Sequence, residues 1–314
     1  MEYSGTQTDA LRAIALSRSF TIERFPEQIT TASTGKIFSI TQRPLVAITD
    51  AETRTRVQWH SFTTPHYAIS FDRICYHERE AISVAEQLEE AYASIVSATQ
   101  EGFHERIPVY LCDLRSPSLL GRKTSTHFNV GERAIYLVRS AQLPADAELL
   151  HMVVHSTRFE RYLKHYGITP GWAMLEDAYA TFVATRLSAG HTSYPFFGFE
   201  PDVIAHYLIG QSFLPDLAYA WHGINFASDL ERSVLAGAFL LFLGDMTNDE
   251  AVIALSKTDD DVTSDTFGMI FGRSLEELEH AWKSHLPKTL TTITDAERQE
   301  MISAWLTVMS KRNR

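Results

Sequence analysis

The hydrophobic period of this 314-residue chain changes near Pro144. Before that point, short β-branched and aromatic runs are separated by turn-forming residues. "HYAISFD" alternates strictly, with Tyr67, Ile69 and Phe71 on one face. After it, apolar residues recur at helical spacing almost to the C-terminus. Such a chain must join a sheet to a helical mass. "KIFSI", "PLVAI" and "RVQWHSF" read as strands within 36–62, "RIPVYLCD" and "RAIYLVRS" as two more, and "TSTHFNV" as a further one between them. One helix interrupts them: "EREAISVAEQLEEAYASIVSA" sets Ile82, Leu88, Tyr92 and Ile95 on a single stripe. The expected fold class is α+β, a mixed sheet with a helix followed by a helical half and a cleft between them. Residues 1–60 read as an N-terminal extension of helix plus strands, 61–144 as a sheet-containing subdomain and 145–314 as a helical subdomain.

The helical half carries its own punctuation. Ser274 with Glu277 and Thr294 with Glu297 have capping-box spacing, each ahead of an apolar stripe. For the last helix that stripe is Ile302, Trp305, Leu306 and Met309. The acidic run at 259–261 lacks the glycine and later glutamate of a calcium loop and reads as a solvated loop.

Charge excludes some functions. The formal net charge is −11, and no Lys/Arg cluster is available to neutralise phosphates, so nucleic acid is not an expected partner. Cys75 and Cys112, the two cysteines, lack CxxC spacing, which fits neither a disulfide framework nor a cysteine zinc site. The first twenty residues do not have the form of a signal peptide, and "VLAGAFLLFLG" is too short to span a bilayer. The expected location is cytoplasmic, with no membrane partner.

The residues with chemistry lie just past the change of period. His151 and His155 in "LLHMVVHST" are separated by one helical turn, so a helix there puts both imidazoles on one face. Pro144 suits the helix start, Asp146 and Glu148 its positive end, and Leu149, Leu150, Val153 and Val154 its buried side. Catalytic zinc takes three protein ligands plus water. A second amphipathic helix over 172–187 offers Glu176 or Asp177 as the third. Taken alone, an HxxxH pair is weak evidence, and unrelated core or surface histidines are the commoner source of it. "FHERIPVY" at 103–110 begins like a metal motif but has Pro108 where a second histidine is needed, so His104 and Glu105 read as loop residues.

With its surroundings, the region resembles the gluzincin zinc metallopeptidases, in particular the compact peptidase MA-like group with its HExxH helix. "HMVVH" stands for that helix, and "PGWAMLEDAYATF" for the following helix that supplies the third ligand. "HYAISFD", "QLEEAYASI", "IPVYLCD" and "RAIYLVRS" are similar to the family's strands and first helix. "SVLAGAFLLFLGDMTNDEAVIAL" and "FGRSLEELEHAWKSHL" are similar to its closing helices, so the likeness covers roughly 62–287. The resemblance implies a zincin-like fold, a zinc ion held by His151, His155 and an acid, and a cleft edged by "RAIYLVRS" that takes a peptide or protein partner by strand addition. Counting from Trp172 selects Glu176 as the acid, whereas overlaying "DAYATF" selects Asp177.

The departures set the functional expectation. Where the family has its proton-transferring glutamate the chain has Met152, and "LERSVLAGAF" lacks the tyrosine that steadies the oxyanion. Loss of a positioned general base costs about 10²–10⁴ in rate. The expectation is therefore a zinc-binding homologue with impaired proteolysis. One alternative is an active hydrolase or other Lewis-acid enzyme using Glu148 as a displaced base. Another is a metal-free scaffold in which the histidines pack. Arg158 and Tyr162 continue the histidine face and, with Met152, are expected along the cleft.

Overall fold

The computed structural model describes residues 56–72, 75–113, 125–139, 148–161, 170–188, 193–210, 229–258 and 262–312, with Leu217, Trp221 and short strands within 25–49. The strands are β1 (Phe25–Pro26), β2 (Ile29–Thr30), β3 (Ile37–Phe38), β4 (Thr41–Thr49), β5 (Arg56–Thr63), β6 (Tyr67–Asp72), β7 (Ile107–Asp113), β8 (His127–Asn129) and β9 (Ala134–Arg139). The helices are α1 (Glu78–Thr99), α2 (Leu149–Thr157), α3 (Pro170–Leu187), α4 (Pro201–Gly210), α5 (Asp229–Met246), α6 (Asp249–Ser256), α7 (Ser264–Phe271), α8 (Leu275–Thr289) and α9 (Asp295–Arg312). The architecture is α+β.

The main sheet runs β1-β4-β5-β6-β7-β9-β8. Its β4–β5–β6 part is antiparallel, β6–β7 and β7–β9 are parallel, and β8 closes antiparallel on β9. The first parallel pair needs a crossover, and α1 supplies it. Strict alternation in β6 and β7 divides the sheet into two apolar faces. Tyr67, Ile69, Phe71, Ile107, Val109, Leu111, Ile135 and Leu137 join the large core with Leu88 and Ile95 of α1. Trp59, Cys112, Ala134, Tyr136 and Val138 form a second cluster on the other side.

The strand "RAIYLVRS" does not edge the sheet. β9 lies between β7 and β8, with Ala134, Ile135 and Tyr136 paired to Asn129, Phe128 and His127. Further along, Thr126 Oγ1 accepts the Val138 N–H at 3.0 Å. The ladder positions an added peptide would use are occupied, which corrects the strand-addition expectation at β9. The edge position that the resemblance implies for this strand is taken instead by β8, which lies within the run "TSTHFNV".

The helical half packs as layers behind α2, which contacts α1, β8 and β9 on one side and α3 on the other. Beyond it, α3 lies along α5, and α5 along α4 and α6. The capping box of α8 forms as expected, with Glu277 N–H donating to Ser274 Oγ at 3.2 Å. At α9, Glu297 N–H donates to Thr294 Oγ1 at 3.3 Å. Ile302, Trp305 and Met309 are buried while Leu306 is exposed, so the last stripe is narrower than its apolar spacing implies. Trp305 donates its indole N–H to the Pro195 carbonyl at 3.0 Å, tying α9 to the segment before α4. Among the described residues no helix is long and apolar enough to cross a membrane. Residues 259–261, Pro144, Asp146 and most of 1–60 fall outside the described residues.

Candidate metal centre

α2 is a short helix with β-branched Val153 and Val154 at its middle, residues of modest helix propensity. Packing stabilises it instead: Leu149, Val153 and Val154 are each at most 3% exposed, and a fully buried valine or leucine is worth about 1.5–3 kcal/mol. Its end is tightened by Ser156 and Thr157, whose hydroxyls donate to the carbonyls of Val153 and Val154 at 2.7 and 2.8 Å. With Leu149, Val153 and Val154 directed into the core, helical geometry turns His151 and His155 together towards α3. Their Nε2 atoms are 3.0 Å apart, and the rings meet edge to face at 75°.

The acid that meets them is Asp177. Its Oδ1 lies 3.6 Å from His151 Nε2 and 3.7 Å from His155 Nε2. These three side chains form the group among the described residues that could hold a metal ion. A tetrahedral zinc with bonds of about 2.0–2.1 Å sets its ligand atoms about 3.3 Å apart. The observed separations straddle that value, so the donor set fits the ion in spacing as well as in chemistry. His151 is buried, whereas the side chains of His155 and Asp177 are 17% and 14% exposed, so the centre reaches solvent on their side.

Asp177 is held from behind by α5. Ser233 Oγ donates to its Oδ2 at 2.5 Å and Arg232 Nε at 3.3 Å. Burial alone would raise the carboxyl pKa. The imidazoles of His151 and His155 and the Arg232 guanidinium outweigh burial and hold it well below the usual carboxylate range. The acid is thus ionised, as a metal ligand must be. The Tyr194 ring packs edge-on against His151, with centroids 5.1 Å apart.

Glu176 takes a different role. Successive helix residues point about 100° apart, and this one turns to Arg158, which donates Nε and Nη2 to its two oxygens at 2.7 and 2.6 Å. Arg158 also donates Nη1 to both oxygens of Glu101 at 2.7 Å and Nη2 to the Ser256 carbonyl at 2.7 Å. Its guanidinium lies 4.4 Å over the Tyr179 ring. Burial opposes its charge, but Glu176 and Glu101 outweigh that and raise its pKa further. In the same setting burial, aided by the Glu101 charge, pushes the Tyr179 phenol up to about 12.

The remaining predicted positions resolve plainly. Glu148 is buried as the N-cap of α2, three residues before His151. Met152 is 5% exposed within the core and Arg158 only 2%, so both are enclosed rather than open on a cleft. Tyr162 lies outside the described residues. His104 and Glu105 are exposed loop residues, Glu105 pairing with Arg133 at 2.7 Å. Sequence reasoning missed Ser233, Arg232 and Tyr194. A trace of the first was present in "SVLAG", where Ser233 and Gly237 are small residues one helical turn apart, a signature of close helix approach. No protein-family model, curated protein or solved structure matches this chain.

Proposed function

We propose that this chain is a gluzincin-like protein that binds one zinc ion through His151, His155 and Asp177 and has lost peptidase turnover. The observation that carries the reading is the convergence of two Nε2 atoms and one carboxylate oxygen at 3.0–3.7 Å, from two helices in the order the resemblance implies. A zincin-like arrangement of sheet, HxxxH helix and ligand helix belongs to the same proposal. Zinc bound there would lower the pKa of a water to about 7 and act as a Lewis acid. The chain's own residues would do the rest: the imidazoles and Asp177 would orient the ion, while Met152, Val153 and Val154 themselves carry no group that takes up a proton. A peptide or protein partner, held without strand addition at β9, belongs to the same proposal.

Metal analysis of protein purified without a histidine tag tests this reading. About one zinc per chain is expected in the wild type and none in Asp177→Asn. Wild-type protein that takes up no zinc on dialysis would leave a metal-free scaffold, with the two imidazoles hydrogen-bonded directly. The second reading, an active enzyme with Glu148 as the base, is supported by the position of that buried acid one turn before His151. A zinc-dependent turnover abolished by Glu148→Gln would favour it.

A further inference from the structure

The two oxygens of Asp177 are already divided between tasks. Oδ1 is the atom that approaches the histidine nitrogens. Oδ2 accepts the Ser233 hydroxyl and the Arg232 Nε–H. Both donors lie at the start of α5, and the way α5 meets α3 fixes where they can reach. Asp177 faces Ser233, and one turn further along each helix Thr181 faces Gly237. A Cβ at Gly237 would lie 2.2 Å from Thr181 Cγ2, so the glycine lets the two helices approach this closely. Ser233 is 1% exposed, and its hydroxyl is set by that packing rather than by solvent.

Resting on the zinc reading above, we infer that Ser233, assisted by Arg232, is a positioning residue of the metal centre that makes Asp177 a one-oxygen ligand. A carboxylate free to rotate about its last bond presents one oxygen, the other or both to a cation. Two donors on Oδ2 stop that rotation, and two-oxygen coordination would break their hydrogen bonds. Two imidazoles and one oxygen then leave the fourth tetrahedral position for a water or an incoming group. Asp177 thereby acts as a pre-aimed ligand whose orientation does not have to be selected at each binding event. Groups that orient a ligand in this way typically change metal affinity by about 10–100-fold.

The test compares wild type, Ser233→Ala, Ser233→Thr and Arg232→Gln as full chains without a histidine tag. Zinc affinity is read by competition with a chromophoric chelator, the cobalt-loaded forms by visible spectra, and the metal-free forms by thermal unfolding to confirm the fold. Ser233→Ala is expected to bind zinc about 10–100-fold more weakly. Its cobalt spectrum should move towards the weaker absorption of higher coordination as the second oxygen swings in. Ser233→Thr, which keeps the hydroxyl, should retain the wild-type spectrum, and Arg232→Gln should show a smaller loss of affinity. Zinc bound equally tightly by wild type and Ser233→Ala, with identical cobalt spectra, overturns the positioning role and leaves the zinc reading intact. Wild-type protein that takes up neither metal overturns the zinc reading and this inference with it. Should Ser233→Ala fail to fold, Arg232→Gln decides, and unchanged affinity and spectrum in that variant count against the role.

Discussion

Arg158 and Glu176 are joined fork to fork inside the protein, with both contacts under 2.8 Å and both side chains at most 2% exposed. This pair separates two neighbouring acids by function: Glu176 neutralises a buried cation, and Asp177 is left for the histidines. Removing one partner of a buried pair costs about 3–5 kcal/mol, because the other charge stays in the interior. Glu101 still faces Arg158, so the lower end is expected. Glu176→Gln should destabilise the protein by roughly 3 kcal/mol in urea unfolding while keeping its zinc stoichiometry. Asp177→Asn should do the reverse, losing zinc with a much smaller change in metal-free stability. Glu176→Gln that lost zinc at unchanged stability would reassign the two acids.

The histidine spacing and both helices were legible in the sequence because HxxxH and long apolar runs are local signals, although α3 is buried almost all round rather than amphipathic as expected. The choice between Glu176 and Asp177 was not. It is decided by Arg158 and Glu101, which come from different parts of the chain, and by Ser233 more than fifty positions downstream. The strand order failed for a related reason. The edge position of "RAIYLVRS" is what the resemblance implies, and only pairing with the short β8 shows that the strand is not an edge. Leu306 shows the opposite limit, being in phase with its stripe yet exposed among the described residues.

Gly237 offers a test of helix spacing. An alanine there would gain intrinsic helix propensity of about 1 kcal/mol, but its methyl would collide with Thr181 on α3. Overpacking of this kind costs about 1–3 kcal/mol. Gly237→Ala is expected to lower the unfolding midpoint and also to weaken zinc binding, since pushing α5 outward withdraws Ser233 from Asp177. The double variant Gly237→Ala with Thr181→Ala should recover much of both. A single variant more stable than wild type would show that the helices are free to separate.

The N-terminus of α1 carries a pH dependence of definite sign. Glu80 accepts the His77 N–H at 2.8 Å and the Arg139 Nη1 at 2.9 Å. The hydrogen bond from His77, outweighing slight desolvation and aided by Arg139, lowers its pKa. A carboxyl depressed in the folded state stabilises fully above its unfolded value, about 4.3 for glutamate, and loses that contribution as pH falls through the lower folded value. Because the group is largely exposed, the effect on stability is small and screened by salt. The direct measurement is a carbon-detected titration of Glu80, expected to have a midpoint below that of an unstructured glutamate. Arg139→Gln should move it upward, and a midpoint at or above the unfolded value would contradict the capping arrangement.

Zinc acidifies its water, but peptide hydrolysis also needs a group to take that proton and return it to the leaving nitrogen. Met152 occupies the position after the first histidine and is packed in the core with Val153 and Val154, so zinc-loaded wild type should not cleave generic peptides. Met152→Glu puts a carboxylate at the position after the first histidine and should raise cleavage above the wild-type blank if it swings from the core to a zinc-bound water. It should also lower stability by about 1–3 kcal/mol, since a thioether in apolar contact is replaced by a polar group. Assaying wild type, Met152→Glu and Glu148→Gln side by side with zinc separates the possibilities. Glu148→Gln should change nothing in an inactive protein. Cleavage by wild type that disappears in Glu148→Gln would instead place the base at the cap of α2, one turn before His151, and the chain would be a working hydrolase.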